Sequence, residues 1–246
     1  MANERKSLMP IPPRAELLCE PEDLVQWFEL RERRSLSQFR EWMREVQLRF
    51  GQSDLTKNTA RLGDGPVKVF REEVYPFRAF ADQILDDVAL EVSFPADNGP
   101  RDVVLYGPND NDTQLIEIAN AIDGHDDRLR MEYLSVARYV PGWGPIEKVG
   151  TRKKSGYSIK ARGEARYQSQ EVSKASLLVA QAVSKKLSKP YSIGTWLIVA
   201  FQDVIGFDED DYDRIVESAK HAVKPSPISE IYLVGSGEKG FCHRVQ

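Results

Sequence analysis

The chain contains few cysteines, few histidines and no long apolar run, and these shortages exclude several classes of protein. Its two cysteines, Cys19 and Cys242, stand near opposite ends of the 246 residues, so they form neither the dense disulfide framework of a small secreted domain nor a metal-binding pair. No segment approaches the roughly 18 consecutive apolar residues of a transmembrane helix, and the first residues lack the apolar stretch of a signal peptide. We therefore expect a cytoplasmic protein without a membrane span.

Charge and composition limit the kind of surface that the protein can present. The formal charge of −4 means that any surface for nucleic acid must be a local basic patch on a mildly acidic body. Hydrophobic residues make up 41% of the chain and charged residues 29%, which is typical of a folded, water-soluble protein and not of a disordered one. The length suits one main domain with extensions. We expect a helical N-terminal extension and linker over residues 1–65 and an α/β core domain over residues 66–246.

Two helices are predicted in the N-terminal extension. Acidic residues around Pro21 favour a helix start ahead of Leu24 and Trp27. A second helix is predicted because apolar residues recur at spacings of three and four, which places them on one face, and Gly51 would end it. These apolar residues are Leu36, Phe39, Met43, Val46 and Phe50. Residues 52–66 are polar and predict a linker into the core.

Between residues 70 and 202 the hydrophobic pattern predicts the order helix, three strands, helix, strand. Residues 70–84 place apolar side chains along one helical face, which Pro76 is expected to kink or to divide. The segments VALEVSF, DVVLYG and QLIEIANA, separated by turn-forming residues, predict an antiparallel meander. Residues 172–187 repeat apolar residues at helical spacing, and TWLIVAF is typical of a fully buried strand. We therefore predict an α/β fold with a mixed central sheet flanked by helices.

Two carboxylates on neighbouring predicted strands are the main candidates for chemistry. Asp102 opens the second strand of the meander, after Pro100 and Arg101. Glu117 lies within the third strand and shares a face with Ala119. A carboxylate on a mostly apolar strand is costly to bury unless it meets a cation, a basic partner or water. Two convergent carboxylates are also the minimum set of protein ligands for the Mg²⁺ ion used in phosphodiester hydrolysis.

This order of elements, with acids at these two places, resembles the restriction-endonuclease-like, or PD-(D/E)XK, nuclease fold over residues 70–202. In that family an acid begins the second strand, and the third strand carries an acid, one spacer and a lysine. The first helix often contributes another acid, which would be Glu73 here. The resemblance implies a divalent-metal-dependent nuclease acting on DNA. Asp102 and Glu117 would hold Mg²⁺, and Glu73 would act beside them as a third catalytic acid.

One position departs from the family pattern, because Ala119 stands where the lysine is expected. That lysine would orient the attacking water or stabilise developing negative charge, and alanine can do neither. A lysine from elsewhere would have to substitute, and the candidates are Lys148 and Lys153. Otherwise the site is degenerate, and the chain is a non-enzymatic module that binds nucleic acid or protein on the same fold.

The two acids also have a purely structural interpretation. Asp102 would then cap its strand after the turn at Pro100. Glu117 would pair with a neighbouring arginine such as Arg128 or Arg130, because paired charges commonly satisfy partly buried acids. The sequence leaves both interpretations open.

A basic hairpin predicted over residues 146–167 is the candidate for contact with DNA. Its basic residues are Lys148, Arg152, Lys153, Lys154, Lys160, Arg162 and Arg166. Such a hairpin can follow a phosphate backbone, and Tyr157 and Tyr167 are available for stacking on bases. A charged hairpin is equally often a solvated surface. The N-terminal helices are the candidate surface for a protein partner.

Overall fold

The computed structural model of the chain describes residues 7–12, 16–19, 28–86, 89–95, 99, 101–109, 112–140, 144–150, 157–164, 167–203, 206–237 and 240–246. Over these ranges helices flank a mixed β-sheet, which confirms the predicted α/β class. No helix within them is long and apolar enough to cross a membrane.

The strands and helices follow the chain in the order that the hydrophobic pattern predicts for the core. The strands are β1 (Ser7–Ile11), β2 (Arg34–Ser35), β3 (Glu91–Ser93), β4 (Val103–Tyr106), β5 (Thr113–Ala121), β6 (Ile146–Val149), β7 (Tyr157–Ala161), β8 (Thr195–Phe201), β9 (Ile228–Gly235) and β10 (Cys242–Arg244). The helices are α1 (Leu36–Phe50), α2 (Asp54–Leu62), α3 (Pro66–Val69), α4 (Tyr75–Ile84), α5 (Gly124–Ala137), α6 (Gln168–Leu187) and α7 (Glu209–Ala222). A π-helical segment, Phe70–Val74, joins α3 to α4.

The central sheet has the spatial order β10-β9-β8-β5-β4-β3-β2. The predicted meander is confirmed, since β3, β4 and β5 pair antiparallel. Helix α6 then crosses over, and β8 runs parallel to β5 with β9 parallel to β8. Parallel neighbours need such a crossover, because a tight turn can only join antiparallel strands. The sheet is therefore mixed, as expected.

Each face of the central sheet carries its own helical layer. On one face Phe39 of α1, Phe77 of α4 and Ile116 of β5 belong to one cluster and are fully buried. On the other face α6 and α7 pack on β5 and β8 through residues that include Ala119. Burying one phenylalanine side chain is worth about 1.5–3 kcal/mol. Ile116 and Ala119 lie on opposite faces of β5, as strand alternation predicts.

The N-terminal part of the chain belongs to the same packing. The predicted helix is confirmed as α1, whose apolar stripe is buried and which Gly51 follows. Strand β2 pairs with β3 at the edge of the central sheet, and β1 pairs with β7. The division of the chain after residue 65 stays a prediction, and the helix predicted around Leu24 lies outside the described residues.

The predicted linker over residues 52–66 is wrong in one respect, because most of it is helix α2. Ser53 caps this helix, and its Oγ accepts a hydrogen bond from the Thr56 backbone N at 3.1 Å. Thr59 is buried although polar, because its hydroxyl donates to the Leu55 carbonyl at 2.8 Å and accepts from the Cys19 backbone N at 2.9 Å. The polar composition that suggested a linker therefore reflects capping and buried hydrogen bonds.

A separate antiparallel sheet, in the order β1-β7-β6, packs against α5. The predicted hairpin is confirmed as β6 and β7, while its tip, residues 151–156, lies outside the described residues. Leu129 and Tyr133 of α5 and Ile159 of β7 form the buried contact between helix and sheet. This small sheet therefore has its own apolar cluster beside the central core.

Candidate active site

The predicted acids lie where β4 ends alongside β5. Strand β4 has only four residues and β5 has nine, and their strand pairing ends at Val103 and Ile116. Asp102 lies just before β4, and its hydrogen bonds to β5 take the place of further pairing between the two strands. Its backbone N donates to the Ile116 carbonyl at 3.0 Å, and its Oδ2 accepts from the Ile118 backbone N at 2.7 Å. These two bonds hold the Asp102 carboxylate on the face of β5 that carries Glu117.

Glu117 is buried, with 6% of its surface exposed, and its two oxygens differ in their surroundings. Oε1 accepts hydrogen bonds from Lys186 Nζ of α6 and from the Tyr191 hydroxyl, the latter at 3.2 Å. Oε2 is buried without a hydrogen-bond partner among the described residues. Buried acceptors in folded proteins nearly always have a partner, so the unpartnered Oε2 requires an explanation, and a bound ligand would supply one.

Lys186 is the cation that sequence reasoning missed. Residues Val179, Val183 and Leu187 of α6 are buried against the sheet, and Lys186 adjoins this stripe three positions after Val183. Residues three and four apart are neighbours on a helix surface, so the spacing places Lys186 at the edge of the buried face. This helical pattern was a usable signal, whereas the family motif directs attention only to position 119.

The partners predicted for Glu117 engage other groups. Lys148 lies on β6 with its Nζ 4.2 Å from the centre of the Tyr157 ring. Arg128 Nε donates to Glu132 at 3.3 Å, and Arg130 donates to the Gly144 carbonyl at 2.6 Å. The arginine pairing predicted for Glu117 is therefore wrong, because α6 already presents Lys186 at Oε1. Lys153 lies outside the described residues.

Glu73 approaches the same centre from the π-helical segment. Asn120 of β5 donates to the Glu72 backbone carbonyl at 2.8 Å and so fastens this segment to the strand. Burial, followed by the negative charges of Asp102 and Glu117, raises the pKa of Glu73 from 4.5 to about 8. Burial and the charge of Glu117 raise the pKa of Asp102 from 3.8 to about 6. The structure thus brings the three predicted acids into one electrostatic environment.

A divalent cation fits this arrangement, with two carboxylates as its protein ligands. Within the described ranges, no group of three or more His, Cys, Asp or Glu side chains is placed to hold a metal ion by itself. Mg²⁺ usually keeps several waters and takes one or two carboxylates together with substrate phosphates, so it does not need a larger protein set. The unpartnered Glu117 Oε2 beside Asp102 is consistent with such a site.

Known proteins supply no further guide to the function of this centre. Comparison with models of protein families, with curated proteins and with solved structures finds no match to this chain. The resemblance to restriction-endonuclease-like nucleases therefore stays a prediction. Any assignment of function rests on the geometry and electrostatics of the acids and of Lys186.

The basic hairpin is only partly described. Lys148, Lys160 and Arg162 are within the described ranges, whereas Arg152, Lys153, Lys154 and Arg166 lie outside them. Lys160 of β7 stands opposite Glu147 of β6, so part of its charge is balanced across the strands. The proposed contact of this hairpin with DNA stays a prediction.

A cavity of about 810 Å³ lies at the carboxyl ends of β5, β8 and β9. Its described lining residues include Asn120 and Phe201 but none of the three acids. Several charged residues on its walls pair with one another, as Arg78 does with Asp82 at 3.3 Å. The acids around Glu117 repel one another instead, and they are therefore the stronger candidate for chemistry.

Proposed function

We propose that the chain is a cytoplasmic, divalent-metal-dependent nuclease that hydrolyses phosphodiester bonds in DNA. The observation that supports this proposal is that the two carboxylate oxygens of Glu117 have different surroundings. Lys186 and Tyr191 donate to one carboxylate oxygen, while the buried second oxygen has no partner among the described residues. Asp102 is close enough for the charge of Glu117 to contribute to its raised pKa. A carboxylate held in this way is oriented by two donors and keeps one oxygen for a cation.

Asp102 and Glu117 would hold the metal ion, which when bound supplies Lewis-acid stabilisation of the phosphate and a more acidic water. Their positions are set by the protein itself, since Asp102 is tied to the Ile118 backbone and Glu117 to α6. Preorganised ligands of this kind need no rearrangement when the reaction begins.

Lys186 would perform the role that Ala119 cannot. A lysine ammonium has three donors, and Glu117 Oε1 uses one of them. The other two have no partner among the described residues, and they would orient an attacking water or stabilise negative charge on the phosphate. With Lys186 in this role, the absence of a lysine at position 119 would not by itself prevent catalysis.

Glu73 would hold a proton at neutral pH, because its pKa is raised to about 8. Protonation limits the repulsion among the three acids when no cation is present. A bound cation would favour release of that proton, since nearby positive charge lowers the pKa of a carboxyl group. Glu73 would thus be protonated when the site holds no cation and ionised when a cation is bound.

A cleavage assay tests the proposal directly. The purified protein is incubated with linear and with supercoiled DNA in EDTA, Mg²⁺ or Mn²⁺, beside Glu117→Gln, Lys186→Met and the control Lys220→Met. Lys220 is an exposed lysine of α7 that pairs with Glu217. We expect metal-dependent cleavage by the wild type and the control, and none by Glu117→Gln. Wild-type inactivity with both metals, or full activity of Glu117→Gln, would refute the proposal.

The second candidate function is a non-enzymatic module that binds nucleic acid. Ala119 favours it, because this residue is buried against the helical layer and presents no catalytic group. Binding of DNA without cleavage in either metal would support this candidate. The same assay therefore separates the two functions.

A further inference from the structure

The segment between Glu171 and Asp203 contains lysines but no acidic residue. Its lysines are Lys174, Lys185, Lys186 and Lys189. Lys185, Lys186 and Lys189 lie together at the C-terminal end of α6 and just beyond it. In a chain with a formal charge of −4, this is a local concentration of positive charge.

The end of α6 places one of these lysines, Lys186, on Glu117 and keeps the other two close to it in the chain. The Lys189 backbone N donates to the Lys186 carbonyl at 3.0 Å, which turns the chain so that Lys189 returns beside Lys186. Lys186 reaches inward to Glu117, whereas Lys185 and Lys189 are exposed and form no ion pair among the described residues.

Residues 185–193, which we call the lysine loop, are attached to the site through Lys186 and Tyr191. Tyr191 donates to Glu117 at 3.2 Å, so the middle of the loop is tied to the acids. Just after the loop, the Gly194 carbonyl accepts from Gln114 Nε2 at 2.7 Å and from Ser229 Oγ at 3.1 Å. Ile193, at the end of the loop, is 95% exposed and offers an apolar surface to a sugar or base.

We propose that the lysine loop binds the phosphate backbone of DNA beside the acids, with Lys185 and Lys189 contacting phosphates that flank the scissile one. This inference rests on the proposed nuclease function and names the surface that holds its substrate. Lysine side chains neutralise phosphates and release condensed counterions, so they supply affinity without sequence preference. Their charge, close in the chain to Lys186 of the site, would offset the repulsion between the acids and the polyanion.

The lysine loop is better placed for this role than the described part of the basic hairpin. Lys148 is engaged with the Tyr157 ring, and Lys160 stands opposite Glu147. Lys185 and Lys189 have no such partners within the described ranges and adjoin Lys186 in the site. A structural alternative is that they only offset the negative end of the α6 dipole, and it makes a different prediction for DNA binding.

The test measures binding of a fluorescent DNA duplex by anisotropy between 50 and 200 mM salt. The protein carries Glu117→Gln so that the duplex stays intact, and the added changes are Lys185→Gln with Lys189→Gln. We expect weaker binding, and a slope of log affinity against log salt that is smaller by about 1.8, because each lost phosphate contact removes about 0.9. Lys185→Arg with Lys189→Arg keeps both charges and should restore the slope.

The matched control is Lys57→Gln with Lys220→Gln, which removes two exposed lysines that stand beside Asp54 and Glu217. It should leave the slope unchanged. The inference is overturned if the lysine-loop variant keeps the slope of the Glu117→Gln protein, if the control changes that slope equally, or if no variant binds DNA. It is also overturned if Lys148→Gln with Lys160→Gln removes the slope instead. Metal-dependent cleavage is scored separately, so failure of this surface is distinguishable from failure of the nuclease function.

Discussion

Glu117 and Glu132 are buried to the same extent, each with 6% of its surface exposed, but their surroundings are opposite. At Glu132 each oxygen has its own partner, since Oε1 accepts from Arg128 Nε at 3.3 Å and Oε2 accepts from the Tyr157 hydroxyl. At Glu117 both donors share Oε1, and Oε2 has none among the described residues.

At equal burial, hydrogen-bond partners and neighbouring charges distinguish a structural acid from a candidate catalytic one. Glu132 links α5 to β7, and each of its carboxylate oxygens accepts a hydrogen bond, so its burial is explained without a ligand. Glu117 leaves an acceptor unsatisfied and stands near Glu73 and Asp102, which interact with it unfavourably. Such an arrangement costs free energy in the empty protein and is explained if a cation binds there.

The largest expected effect follows from replacing the basic side chain that contacts each of the two glutamates. Lys186→Met should lower the rate of metal-dependent DNA cleavage by about 10²-fold, the loss typical of one electrostatic contact to the reacting group. Arg128→Met removes the cation of Glu132 and should leave the rate unchanged. Single-turnover cleavage of a labelled duplex measures both.

Folding must be checked for the two variants by circular dichroism and thermal unfolding. If Arg128→Met loses as much activity as Lys186→Met while both remain folded, the contrast between the two glutamates does not reflect catalysis.

The tyrosines that donate to the two glutamates should differ in their effect on stability. Tyr157→Phe leaves Glu132 Oε2 buried without its donor, and it should lower the free energy of unfolding by about 1–3 kcal/mol. Tyr191→Phe should cost less than about 1 kcal/mol, because Glu117 Oε1 keeps Lys186. Urea denaturation at pH 7 without metal measures both values, and an equal loss would contradict the contrast.

Much of this core is predictable from hydrophobic periodicity, because burial dictates which residues recur. The stripe from Leu36 to Phe50 specifies α1, and the run TWLIVAF specifies β8. Alternation along β5 also places Glu117 on the face opposite Ile116. The fold class and the faces of its strands therefore follow from local patterns.

The partners of the acids are less predictable, since they depend on how distant elements pack. Lys186 is 69 positions from Glu117 in sequence, and only the crossover of α6 brings them together. Helix α2 was missed because its polar residues satisfy one another, as Ser53 and Thr56 do. Periodicity detects burial of apolar groups, and it does not register polar groups whose hydrogen bonds permit burial.

A smaller effect is expected when divalent cations are added. Mg²⁺ or Mn²⁺ at ten times its dissociation constant should raise the free energy of unfolding of the wild type by about 1.4 kcal/mol at pH 8. Glu117→Gln should lose this gain, because Oε2 no longer belongs to a carboxylate, whereas Glu132→Gln should keep it. Thermal unfolding across a metal titration measures the gain, and equal stabilisation of both variants would place the cation elsewhere.

Stability should also depend on pH, because of the raised pKa values of the acids around Glu117. Folding raises the pKa of Glu73 from 4.5 to about 8 and that of Asp102 from 3.8 to about 6. The folded state therefore binds more protons than the unfolded state within this window, and stability must fall as pH rises from about 4 to about 8.

Glu73→Gln removes the larger of these two titrations. Its free energy of unfolding, relative to that of the wild type, should increase between pH 4.5 and pH 8 and become constant above about pH 9, where Glu73 is ionised in both states. Urea denaturation at a series of pH values without metal measures this difference. Parallel curves for the two proteins would mean that folding does not raise the pKa of Glu73, and the contrast with Glu132 would then rest on Asp102 and on Glu117 Oε2.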